Sequence, residues 1–161
     1  MSVLDEASDF HYQALAVSAA YSDQTSKTAL KNRVVSLNGI GNVQLSLGNP
    51  EEAERVFRDA LKGETALGSY LGQAINYANI GAILEERGQI DSARAYYAQS
   101  LTCNELAKSD LGISLCHTHF GRLAENAGRL DEAVAEYKKA YDIMEDSSDK
   151  WLFTRMLRAP A

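Results

Sequence analysis

The sequence predicts an all-α chain built as a solenoid of antiparallel helix pairs, and three observations predict it. Only two prolines occur in 161 residues, β-branched residues are scattered, and Ala, Leu, Glu, Lys, Arg and Gln are abundant. Comparison of the chain with itself shows a 40-residue period: Gly41, Gly81 and Gly121, then Gly48, Gly88 and Gly128 seven residues after each. The same period carries an alanine (Ala53, Ala93, Ala133), an aromatic (Phe57, Tyr97, Tyr137) and a small residue (Ala60, Ser100, Ala140). The last three fall at helical spacing, so a ring alternates with small neighbours on one face.

Taken in order, the chain divides into one domain over 1–161 with a partial unit at 4–33, full units at 34–73, 74–113 and 114–150, and the start of a truncated or capping helix at 151–161. In the partial unit, Leu4-Asp5-Glu6-Ala7 matches Leu130-Asp131-Glu132-Ala133, which predicts the second helix of an earlier pair, offset by 46 residues at Ala7 and Ala53. In each full unit the first glycine lies inside a first helix, where the lack of a side chain lets a neighbour approach closely. The second glycine ends that helix in the left-handed conformation. Asn49 before Pro50 then predicts a cap and first turn, and Asp91 and Asp131 start the matching helices. Residues Trp151, Leu152, Phe153, Met156 and Leu157 are too apolar for a solvated end helix. The chain is therefore expected to be a segment of a longer protein, with possible self-association through its terminal helices.

This pattern resembles the tetratricopeptide repeat over residues 34 to about 150. Its period exceeds the family's common 34 residues by about three per helix, a form similar to the longer repeats of cell-polarity adaptors and of helical sensor domains in bacterial regulators. The resemblance implies a right-handed superhelix whose first helices line a concave groove that binds a protein or peptide. Counted from the core positions, the groove residues are Asn38, Asn42 and Leu45, then Ala78, Asn79, Ala82 and Glu85, then Thr118, His119, Arg122 and Glu125. A side-chain amide can donate to a peptide carbonyl and accept from its N–H, and so hold an extended backbone. Asn42 and Asn79 match two asparagines of the carboxylate clamp in chaperone-binding members of the family, but Asn38 and Leu115 stand where that clamp has lysines. His119 and Arg122, one turn apart, form a cationic spot suited to an acidic side chain. Glu85 and Glu86 close their helix either as a rim contact for a basic partner or paired with Arg87 or Arg94. Tyr96, beside the core Tyr97, is expected on the outer face.

Other functions are disfavoured by the residues themselves. A formal charge of −6 without a basic cluster speaks against nucleic acid. Apolar runs are only a few residues long, so no membrane insertion is expected, and the start lacks a signal-peptide pattern; a cytoplasmic location follows, or a periplasmic one if a leader is missing. His117 and His119 point about 200° apart on a helix and cannot share one ion, so no metal or cofactor is expected. Cys103 and Cys116 are expected in the core, and no general-base partner for either is evident. The chain reads as a non-enzymatic interaction module; the alternative is a sensory or regulatory region of a bacterial signal transducer whose membrane span and output domain lie elsewhere.

Overall fold

A computed structural model describes residues 2–21 and 26–147, with side chains omitted at 18–21. Within them lie α1 (Val3–Tyr21), α2 (Lys27–Ser46), α3 (Pro50–Leu67), α4 (Tyr70–Glu86), α5 (Ile90–Leu106), α6 (Asp110–Asn126) and α7 (Leu130–Asp146). No strand occurs among the described residues. The architecture is the all-α, right-handed superhelical solenoid of antiparallel pairs. From α2 onward the connections are only two or three residues long, which forces neighbours to run antiparallel. Each helix packs chiefly on those before and after it in sequence, the quasi-one-dimensional arrangement of a repeat protein.

Three full pairs follow one another, α2–α3, α4–α5 and α6–α7, so positions 34, 74 and 114 lie inside the first helices rather than at their starts. α1 packs on α2 from the place of a second helix: the His11 ring stands where a Cβ on Gly39 would be. His11 lies 46 residues before Phe57, so it takes the aromatic place of its own unit. Residues 151–161, expected to begin a further helix, lie outside the described residues.

The recurrent positions are the core. Phe57 and Tyr97 are fully buried, with Ala53 and Ala93 equally enclosed and Ser100 and Ala60 beside them. A Cβ on Gly41, Gly81 or Gly121 would run into the ring of Phe57, Tyr97 or Tyr137 respectively, so each helix pair closes by seating a ring on bare backbone. Burying such a ring is worth about 1.5–3 kcal/mol, more than the roughly 1 kcal/mol that a mid-helix glycine costs. Gly48, Gly88 and Gly128 have φ of 76°, 74° and 73° and end the three first helices in the left-handed region.

The caps differ in detail from the sequence expectation. Asn49 stands before Pro50, but its side chain makes no cap bond; its amide donates to Gln44 Oε1 at 2.9 Å across the turn. Asp91 and Asp131 lie inside the first turn of α5 and α7, where a carboxylate meets the positive end of the helix dipole. The side chains that do cap are Ser69 and Ser109, each accepting from the backbone N–H of a glycine three residues on, at 3.1 Å.

Candidate functional site

The first helices α2, α4 and α6 repeat one surface in register. Positions 35, 38 and 42, with their equivalents 40 and 80 residues on, follow i, i+3 and i+7 steps and share a face. Its outermost row is aliphatic: Val35, Ile75 and Leu115 are 66%, 49% and 46% exposed, and Leu71 is exposed one turn before Ile75. Sequence reasoning passed over this row, although the 40-residue period that revealed the buried rows also links 35, 75 and 115. The fold gains nothing internally by leaving the same aliphatic position open in three successive units, so the row is a candidate contact surface.

Beside that row the expected amides part company. Asn42 is exposed, while Asn79 and Ala82 are half-buried. Asn38 is also half-buried, and its carbonyl oxygen is sealed from solvent without a hydrogen-bond partner among the described residues. Its acceptor is therefore turned into the fold and not offered to a ligand backbone. Thr118 donates its hydroxyl to the Ser114 carbonyl one turn back at 3.0 Å.

Glu85, His119 and Arg122 come together, but on one another. The Arg122 guanidinium donates to both Glu85 oxygens at 2.9 and 2.7 Å, and the Tyr97 hydroxyl donates to Glu85 Oε2 at 2.7 Å. These bonds, Arg122 first, hold the Glu85 carboxyl below the ordinary carboxylate range although burial works the other way. The His119 ring lies parallel to the Tyr97 ring with centroids 4.3 Å apart. Arg122 Nη2 lies 3.1 Å from His119 Nδ1; arginine can only donate, so Nδ1 accepts and Nε2 carries the hydrogen. Burial, followed by the neighbouring Arg122 charge, pushes the His119 pKa down and keeps the ring neutral. The cationic spot expected for an acidic ligand is thus satisfied from within by Glu85.

Glu125 repeats the receiving half of that arrangement, accepting from the Tyr137 hydroxyl at 2.8 Å, again across 12 residues. It is exposed, and no cation lies on it among the described residues. The alternative pairing expected for Glu85 is replaced as well. Arg87 reaches back to Glu54 and to Glu51 (3.5 Å), and Arg94 reaches forward to Glu132 at 3.4 Å. Tyr96, expected on the outer face, is half-buried: the Arg58 guanidinium lies 5.3 Å over its ring and Tyr77 flanks it at 6.0 Å.

The remaining chemical candidates are occupied by packing. His117 Nδ1 meets Glu136 Oε2 at 2.8 Å, and no group of three or more potential metal ligands occurs among the described residues. Cys103 and Cys116 are buried, and burial pushes both thiols up, away from the thiolate that a nucleophile requires. No described helix is long and apolar enough to cross a membrane.

Comparison with known proteins agrees with this geometry. A family model described as tetratricopeptide repeat matches residues 32–106 and, in an overlapping register, 72–146. Among solved structures, BtubC (BKLC) from P. vanneervenii shares 20% identity and a TM-score of 0.73 over 98% of this chain and 59% of that one. MamA shares 23% identity and a TM-score of 0.55 over 89% of this chain and 83% of that one. At such identities the likeness is one of fold, and this chain spans 59% of the length of BtubC. No curated protein matches.

Proposed function

The chain belongs to the tetratricopeptide repeat family, whose fold serves as a scaffold for protein interactions, and we propose that it acts as a non-enzymatic module holding a protein or peptide in the groove of its first helices. The observation that carries this reading is the in-register aliphatic row Val35, Ile75 and Leu115, flanked by Asn42 and Asn79. An apolar row with amides at its edge suits a ligand that buries aliphatic side chains while its backbone bonds to the amides. Arg122, Glu85 and His119 support the reading differently from the sequence expectation: the Arg122–Glu85 bonds tie the third pair to the second beside the row. The chain is read as one domain, the three full pairs preceded by the half-unit α1.

The test is affinity capture from the source lysate, comparing wild type with Ile75→Asp and with Asn42→Ala plus Asn79→Ala. Arg122 is left intact because its loss would disturb the fold. With helix content unchanged by circular dichroism, loss of the captured protein in both variants is expected. Equal retention by wild type and both variants would move the contact surface elsewhere and overturn the reading.

A further inference from the structure

Arg122 holds part of its donor set in reserve. Its Nε and one Nη2 hydrogen go to the two oxygens of Glu85, at 2.9 and 2.7 Å. The other Nη2 hydrogen goes to His119 Nδ1 at 3.1 Å, with the Tyr97 hydroxyl farther off at 3.4 Å. Nη1 makes no hydrogen bond among the described residues. The Arg122 side chain is 42% exposed and that of Glu85 14%, so an incoming anion meets the cation and not the carboxylate.

His119 occupies that second Nη2 hydrogen only while its ring is neutral. Protonation adds a hydrogen at Nδ1, the ring nitrogen whose lone pair faces Arg122, and two donors then meet head-on. The Arg122–His119 bond is lost, and the cluster passes from balanced charge, Glu85 against Arg122, to one net positive charge. Nη1 and the freed Nη2 hydrogen form the parallel N–H fork that a carboxylate takes as a bidentate pair, with the new Nδ1–H beside it. Glu85 faces His119 from α4, the Tyr97 ring and hydroxyl from α5, and Arg122 from its own helix. On α7, Glu136 is taken by His117 and Lys139, and Tyr137 by Glu125. Burial, then the Arg122 charge, sets the His119 pKa below the ordinary histidine range, so the change falls on the acid side of neutrality.

We propose that Arg122 and His119 form an acid-gated site for a carboxylate group, closed by the neutral imidazole and opened when His119 takes up a proton. The inference goes beyond the groove reading and does not rest on it, since a small carboxylate reads the cluster whether or not a protein binds there. The coupling is reciprocal: a proton on His119 tightens carboxylate binding, and a bound carboxylate raises the His119 pKa by the same factor. An acidic side chain lying against this cluster is therefore held more tightly as the medium acidifies.

Reciprocity gives a test with the intact chain, using trifluoroacetate, which stays ionised throughout, against chloride at equal ionic strength. The imidazoles of His11, His117 and His119 are titrated by NMR from about pH 8 to about pH 5. A coupling of about fivefold is expected, which raises the His119 pKa by about 0.7 in trifluoroacetate and leaves the other two histidines unmoved. His119→Phe keeps a ring against Tyr97 but neither accepts from Arg122 nor takes up a proton. With helix content unchanged, it is expected to bind trifluoroacetate, followed by fluorine NMR, with one affinity across the whole range. Glu85→Gln leaves the Arg122 charge uncompensated and is expected to bind the probe at neutral pH more tightly than wild type does. A His119 pKa that ignores trifluoroacetate, an equal rise at all three histidines, or a pH dependence that persists in His119→Phe would overturn the proposal. Binding by Glu85→Gln no tighter than by wild type at neutral pH would overturn it as well.

Discussion

Lys108 shows how one residue departs from its repeat. The second helices α3 and α5 both end in a left-handed residue, Gly68 at φ 67° and Lys108 at φ 54°. Glycine enters that region freely, whereas a lysine pays roughly 1–2 kcal/mol for it. Lys108→Gly removes that strain and adds back some unfolded-chain entropy, about 0.5–1 kcal/mol. A net gain of roughly 0.5–1 kcal/mol is expected, read as a higher midpoint in urea. The opposite change is expected at Gly41, where a Cβ would meet the enclosed Phe57 ring. Gly41→Ala should cost about 1–3 kcal/mol through overpacking.

His119 and Glu85 make stability depend on pH in separable windows. Burial lowers the His119 pKa below the ordinary histidine value of 6.5, so the unfolded chain takes up the proton first as pH falls. Stability from this group is complete above about pH 6.5 and declines below it, and His119→Phe should flatten that stretch of the profile. The Glu85 pKa is lowered from 4.5, so its contribution is present above that value and lost as pH falls through the folded one. Glu85→Gln should therefore flatten the profile only at the acid end, as measured by urea midpoints from pH 3 to pH 8, a range of about five units.

At the level of elements, much was legible because both glycines and the ring-and-alanine faces repeat with the helix period. Gly41 with Phe57 and Gly81 with Tyr97 are pairings within one unit, and periodicity is sufficient to find them. The polar links between units were not legible. Arg122 with Glu85 spans 37 residues, and Arg94 with Glu132 and Arg58 with Tyr96 each span 38. Such partners meet only after the units have stacked, so neighbours in sequence suggested Arg87 or Arg94 for Glu85, and adjacency to the core Tyr97 placed Tyr96 outside. The serine caps were legible but overlooked, since Ser69 and Ser109 are also 40 residues apart. Ser109→Ala should cost about 1 kcal/mol, measured by chemical denaturation, because it frees a backbone donor at the start of α6.

The whole molecule is a row of units joined by nearest-neighbour interfaces. That plan leaves one face of the first helices uncovered, and there the aliphatic row and Asn42 lie exposed. It also explains why Glu85, Arg122 and His119, all expected to meet a ligand, instead meet each other: a residue near the end of one first helix faces the next first helix as well as the groove. Asn38 follows the same rule, its carbonyl oxygen turned into the fold.

The central claim is that partners bind on the first-helix face, and photocrosslinking tests it most directly. A photoreactive phenylalanine analogue is placed at Ile75 in the groove or at Ala98, an exposed position on the second helix α5. The account predicts that a captured partner crosslinks from position 75 and not from position 98. Crosslinking from position 98 alone would contradict it and assign recognition to the second helices.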